Sequence, residues 1–148
     1  MPEHLPKALT GSRHGVFVSL HLYGNLRGCI GTIAPTKKST ALEIIANGIS
    51  AALHDSRFPA VRKEELPDLV YSVDILGVPE RIADESSLDP KRYGVITESL
   101  DGTRRGLLLP DLDGVESVSQ QIQIARQKGG IGADEPILLY RFTVTRHA

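Results

Sequence analysis

From Val16 to Leu22 the side chains alternate, with Val18, Leu20 and Leu22 on one side and Phe17, Ser19, His21 and Tyr23 on the other, and a Gly24-Asn25 pair follows at once. Period-two alternation marks a half-buried strand and glycine with asparagine is turn chemistry, so the chain is expected to double back here. The returning strand is Leu26-Arg27-Gly28-Cys29-Ile30-Gly31-Thr32, which holds the single cysteine of the sequence. This hairpin constrains the fold more than any other stretch, because a slip of one residue turns a strand's side chains to the other face. A two-residue loop at Gly24-Asn25 pairs Leu20 with Cys29 and mixes polar with apolar on both faces. A three-residue loop, Gly24-Asn25-Leu26, pairs His21 with Cys29. That register leaves Val18, Leu20, Leu22, Gly28 and Ile30 on an apolar face and gathers Ser19, His21, Tyr23, Arg27 and Cys29 on a polar one. It sorts the faces more cleanly and is the expected one.

On the returning strand Arg27, Cys29 and Gly31 point the same way. A fixed positive charge beside a thiol favours the thiolate, the nucleophilic form of cysteine. A residue without Cβ inside a strand often marks the close approach of a ligand or another backbone, which singles out Gly28 and Gly31. The candidate catalytic residues are therefore Cys29, with His21 as a base, and the candidate substrate contacts are Arg27, Gly28 and Gly31. The structural alternative is a free cysteine acting as a small hydrophobe, under a sheet face that is merely polar.

The segment through Ser12 reads as an extended arm or coil. A helix is expected over about Thr40 to His54, where Leu42, Ile45, Ala46, Ile49, Ala52 and Leu53 recur at helical spacing. Thr40 and Glu43 fit a capping box, and the apolar stripe is expected to pack on the hairpin's apolar face. Past the helix, His54-Asp55-Ser56-Arg57-Phe58-Pro59 gathers titratable side chains. Asp55 and Arg57 are candidate substrate contacts there, or else Asp55 holds Arg57 and the cations suit the helix dipole.

Glu64 to Pro67 reads as a short helical turn, Leu69 to Val78 as a strand, and Pro79 to Asp89 as an irregular connection. Leu100-Asp101-Gly102 is a strong hairpin signal between strands at 93–99 and 103–109. A second helix follows from about Val115 to Lys128, closed by Gly129 and Gly130, and Ile137 to Val144 makes a last strand. Strands linked by hairpins more than by repeated strand-helix-strand units indicate an α+β fold, with mainly antiparallel sheets and packed helices.

At 148 residues the chain suits one domain. Seventeen basic against eighteen acidic residues leave no broad field to gather nucleic acid or an anionic membrane. One cysteine and no signal-peptide pattern at the start point to a reducing, cytoplasmic setting, and no apolar run is long enough to span a bilayer. The five histidines are scattered without paired ligand spacing, so neither a metal nor a cofactor is expected.

The Leu26 to Thr32 motif resembles the signature of the AMMECR domain family, which includes the protein A components of AmmeMemoRadiSam systems. The resemblance extends through Gly15-Val16-Phe17-Val18-Ser19-Leu20, Asp55-Ser56-Arg57-Phe58-Pro59, Tyr71-Ser72-Val73-Asp74-Ile75-Leu76, Arg105-Gly106-Leu107-Leu108-Leu109-Pro110 and Tyr140-Arg141-Phe142. It implies a two-lobed, two-layer α+β sandwich with a cleft, in one AMMECR domain over 1–148 whose second sub-lobe is formed from roughly 80–115. It also implies Memo-like and radical SAM proteins as partners, the former resembling extradiol dioxygenases. Two departures stand out. A helical segment that members often carry before the first strand has no counterpart here, and Lys128-Gly129-Gly130 stands where Lys-Ala-Gly is common.

Two readings follow from residues and resemblance together. One is an enzyme or enzyme subunit using Cys29 in a cleft on a small-molecule or modification substrate. The other is a non-catalytic module that binds a substrate or docks on a Memo-like partner. A nucleic-acid regulator, suggested only by the nuclear setting of human relatives, is opposed by the near-neutral charge.

Overall fold

The computed structural model describes residues 2–148, and the strands among them form two four-stranded sheets. The chain divides into two compact units. One runs to Leu76 and resumes at Thr145, and the other is Gly77–Val144. The second unit extends well beyond residues 80–115, because a helix and a central strand of its sheet lie downstream of that range.

The first unit starts with a short helix, α1 (Lys7–Thr10), where the sequence suggested coil. Strands β1 (Gly15–Leu22) and β2 (Asn25–Thr32) form the expected hairpin. Helix α2 (Thr40–Leu53) and a 3-10 turn (Lys63–Asp68) follow, and β3 (Leu69–Leu76) pairs antiparallel with β1. The last strand expected from sequence is two strands, β7 (Ile137–Phe142) and β8 (Val144–His147), which lie in different sheets. Strand β8 completes the order β2-β1-β3-β8.

The hairpin register differs from the expected one. The loop is Tyr23-Gly24, both residues at positive φ (52° and 81°), which is the type I′ geometry that matches the twist of paired strands. Leu22 therefore faces Asn25 and His21 faces Leu26. A bulge at Arg27 then shifts the register, so that Leu20 faces Gly28 and Ser19 faces Cys29. The apolar face is nonetheless the one anticipated: Val16, Val18 and Leu20 are buried with Leu69, Ala51 and the partly buried Ile30 and Val73.

Helix α2 sits on β1 and β2, but not by its apolar stripe. Ser39, not Thr40, is its N-cap, accepting the Leu42 N–H at 3.3 Å. Thr40, Glu43, Asn47 and Ala51 are buried, while Ile45, Ile49 and Leu53 keep 40%, 52% and 50% of their surface exposed. The reason is a polar demand beneath the helix. Glu43 accepts from the Thr32 hydroxyl at 2.6 Å, from the Thr36 amide and hydroxyl at 2.9 and 2.8 Å, and from the Lys37 amide at 2.8 Å. Asn47 donates to the Val16 carbonyl at 3.0 Å and to Thr32 Oγ1 at 3.2 Å. Backbone groups left by the strand end and the following loop must be satisfied, and these two side chains satisfy them. The carboxyl of Glu43 is pushed up by burial, but the Thr32, Thr36 and Lys37 donors outweigh that and leave it below its ordinary value.

The second unit contains β4 (Glu80–Ile82), a short 3-10 turn (Glu85–Ser87), β5 (Gly94–Ser99), β6 (Arg105–Leu108), helix α3 (Val118–Lys128) and β7, with strand order β4-β7-β5-β6. The stretch expected to be irregular thus supplies an edge strand. Helix α3 begins at Val118 because Ser117 caps it, accepting the Gln120 N–H at 3.1 Å. Its Ile122 and Ala125 join Ile82, Leu88, Val95, Leu108 and Val115 in one core.

Candidate functional site

The sequence-derived site residues all lie in the first unit, on or beside the outer strand β2. Cys29 is half-buried, and its thiol accepts a hydrogen bond from the Ser19 hydroxyl at 3.3 Å. Ser19 in turn faces Ser72 on β3, so cysteine and two serines form one row across the sheet. The expected pairing of His21 with Cys29 is not found. The two-residue Tyr23-Gly24 loop sets His21 opposite Leu26, where Val70 flanks it on the other side, and the bulge at Arg27 brings Ser19 opposite Cys29.

Beyond the unpaired side of β2, the turn after α2 reaches the Cys29 peptide. The Cys29 N–H donates to Asp55 Oδ2 at 3.0 Å, and Arg57 Nη2 donates to the Cys29 carbonyl at 3.3 Å. Asp55 and Arg57 are tied to each other by Nη2 to Oδ2 at 2.7 Å, by Nε to Oδ1 at 3.0 Å and by the Arg57 amide to Oδ1 at 3.1 Å. The pair caps the strand edge at Cys29, occupying groups that would otherwise recruit another strand. The Arg57 guanidinium holds the Asp55 carboxyl well below the usual carboxylate range; burial works against it, and the Cys29 and Arg57 amides assist. The Arg57 side chain keeps 56% of its surface, while that of Asp55 keeps 4%. Both Asp55 carboxylate oxygens thus accept from Cys29 and Arg57, and Arg57 presents an open cationic flank lying 5.4 Å over the Phe58 ring.

Arg27 does not face the thiol as a free charge. Its guanidinium donates to Glu65 at 3.1 and 3.3 Å, to the Pro59 carbonyl at 2.8 Å and to the Ala60 carbonyl at 3.3 Å. It clamps the loop behind α2 to the 3-10 turn. Glu65 also accepts the Arg62 N–H at 2.8 Å, which with Arg27 lowers its carboxyl. Gly28 and Gly31 have packing reasons. A Cβ on Gly28 would lie 2.2 Å from the Ala51 carbonyl of α2, and one on Gly31 would lie 2.2 Å from the Phe17 ring. Among the described residues no three of His, Cys, Asp and Glu lie together as metal ligands, and no helix is long and apolar enough to cross a membrane.

Sequence reasoning missed Ser19, Ser72 and Glu65. Only the shared parity of Phe17, Ser19 and His21 pointed to the first, and nothing local pointed to the others. It also missed the groove on α2, about 460 Å³ in volume, walled by Ile45, Ile49, Leu53 and Leu66 with Arg62 and Lys63 beside them.

Fold and site together define an α+β protein of two antiparallel sheets, one of which carries a thiol edge capped by an aspartate-arginine pair. The chain matches the AMMECR1 family over residues 1–147 and belongs to it. A Thermotoga maritima protein is 53% identical over 147 residues, covering 98% of this chain and 83% of that protein. A Clostridium acetobutylicum protein is 47% identical over 147 residues, covering 99% of this chain but only 31% of its own length. The crystal structure of an uncharacterized protein from Pyrococcus horikoshii superposes with a TM-score of 0.88 at 31% identity, covering 98% of this chain and 77% of that one.

Proposed function

We propose that this protein is a docking component of a Memo and radical SAM associated system, and that a Memo-like partner seats on the outer side of α2. The observation that carries this is the inverted helix, which turns polar residues to its own sheet and leaves Ile45, Ile49, Leu53 and Leu66 exposed beside one another. Exposed apolar patches of this kind mark interaction surfaces. Arg62 and Lys63 flank the groove, so the partner segment has an apolar stripe ending in acidic residues. In the C. acetobutylicum relative a region like this chain makes up under a third of a longer polypeptide, an arrangement that suits a domain working against other protein sequence. Such a component acts in the cytoplasm, where a lone thiol stays reduced.

The test is calorimetric titration of a purified Memo-like protein into the intact chain and into Ile49→Asp. Saturable binding that weakens by about tenfold or more in the variant supports the reading. Absence of binding to the unaltered chain, or equal binding by both proteins, removes it.

A second reading rests on Cys29 itself, half-exposed and hydrogen-bonded by Ser19, with Arg57 as the substrate contact and His21 relegated to the neighbouring row. An alkylation rate measured against pH on the intact protein decides it, since no other thiol competes. Fast labelling with an apparent pKa well below about 8.5 supports a nucleophile, and labelling only after denaturation ends that reading.

A further inference from the structure

The first unit holds a second concavity, which shares only Ile44 with the groove on α2 and lies on the opposite side of the sheet from Cys29. Its floor is Val73 and Ile75 of β3 with Thr145 and His147 of β8, and its volume is about 660 Å³. Ile44 of α2 forms one wall, and Pro6, Ala8 and Leu9, in and beside α1, form another. His14, just before β1, completes the lining. Most of these side chains are apolar, and the only polar side chains among them are two imidazoles and one hydroxyl, the composition and size of a small-molecule site. Asp74 and Arg146, which pair at 2.7 Å, alternate with the floor residues and so point to the other face of the sheet. No carboxylate is among the lining side chains.

His14 is anchored through its Nδ1. The Ser12 hydroxyl donates to the Ala8 carbonyl. The Thr40 hydroxyl oxygen lies 3.1 Å from the Ser12 carbonyl and 3.0 Å from the Ser12 hydroxyl oxygen. His14 Nδ1 lies 3.0 Å from the same Thr40 hydroxyl oxygen, and the tautomer of the ring decides which of the two donates. The ring is held in one orientation by α2, and Nε2 has no protein partner among the described residues. A neutral Nε2 accepts a proton from a carboxylic acid, and a protonated one donates to a carboxylate.

We propose that this cavity is a binding site for a small apolar acid, with its chain over Val73, Ile75 and Ile44 and its carboxyl group at the His14 and His147 imidazoles. An ammonium head group finds no acid to meet it. The site goes beyond the docking reading and uses none of the residues that reading needs.

Decanoate is the probe, followed by methyl and imidazole NMR resonances of the intact protein. Saturable shifts at Leu9, Ile44, Val73, Ile75 and His14 are expected, with no comparable effect of decylammonium. Ala8→Trp, on an exposed wall, fills the cavity and weakens decanoate binding by about tenfold or more with an unchanged unfolding midpoint. Should that variant lose its fold, Thr145→Trp serves the same purpose from the floor. His147→Gln weakens decanoate while leaving decanol as before. Shifts confined to Ile45, Ile49 and Leu53 would mean adsorption to the exposed stripe, and they overturn the proposal. So do unmoved resonances, or equal affinity in the filled variants.

Discussion

Helices α2 and α3 solve the same problem in opposite ways. Each lies on an antiparallel sheet, and each meets it at a glycine: a Cβ on Gly28 would stand 2.2 Å from the Ala51 carbonyl of α2, and one on Gly106 would stand 1.8 Å from the Ala125 carbonyl of α3. Helix α3 buries Ile122 and Ala125 in a continuous apolar core, as its periodicity demands, with Gln121 as its one buried polar side chain, donating to the Tyr93 carbonyl. Helix α2 buries Glu43 and Asn47 and shows its best hydrophobes to solvent. A helix's hydrophobic stripe thus reports a face that will be covered, but not whether its own sheet does the covering. In α2 the buried Glu43 carboxylate gathers the Thr36 and Lys37 amides with the Thr32 and Thr36 hydroxyls, since a buried carboxylate without such donors costs more than a few exposed methyls.

The glycine contacts give the largest expected effects. Gly106→Val and Gly28→Val each drive a side chain into helix backbone, which cannot yield as a flexible side chain would. Each is expected to cost about 3 kcal/mol or more, with Gly106→Val the worse because its approach is closer. Urea unfolding of both variants checks this. Equal tolerance of valine at both sites would show that the helices are not seated through these glycines.

Replacing the buried polar residue of α2 separates the two helices further. Glu43→Ala leaves two threonine hydroxyls and two amides without their acceptor, and a loss of about 3 kcal/mol is expected. Ile122→Ala in α3 is expected to lose a similar amount, about 2 to 4 kcal/mol, by cavity formation alone. The two can be told apart by Glu43→Met, which replaces the carboxylate with an apolar chain of similar length. It stays destabilised if hydrogen bonding is the reason for burial, and recovers if volume is.

How far the sequence revealed the molecule follows the same divide. Alternation in β1, the Val, Ile and Tyr content of β3 and the Asp101-Gly102 turn announced antiparallel sheets, because those signals are local. The hairpin register was not legible, since it depends on Tyr23 adopting a left-handed conformation and on a bulge at Arg27, and residue type favours neither strongly. Of the candidate site, Cys29, Asp55 and Arg57 do come together, and the alternative in which Asp55 holds Arg57 describes their contacts. Arg27 was misread because Glu65, its partner, lies far along the chain and carries no signature of the contact.

Acid tests the strand-edge cap, with a smaller effect. Asp55 has its carboxyl lowered in the folded state, so its contribution is fully present above the unfolded value of about 3.9 and is lost as pH falls below it. Stability should decline between about pH 4 and pH 2, and Asp55→Asn, weaker at pH 7, should decline less over that span. Parallel acid profiles for the two proteins would show that Asp55 does not set the slope.

The smallest effect is expected at the residue that periodicity ranked among the most buried. Ile49 lies at the middle of the α2 stripe, yet keeps 52% of its surface in water, and the neighbouring Gly48 has open space where a Cβ would stand. Ile49→Gln removes little buried area and substitutes a residue with a slightly better helix propensity, so the unfolding free energy should move by no more than about 0.5 kcal/mol. Gly48→Ala should raise it by up to about 1 kcal/mol, because glycine is costly inside a helix and nothing in the chain crowds the site. A loss of 2 kcal/mol or more at Ile49, the scale of a core truncation, would mean that the stripe is covered in the isolated protein. The contrast with Ile122 would then disappear, and so would the surface on which a partner is expected to sit.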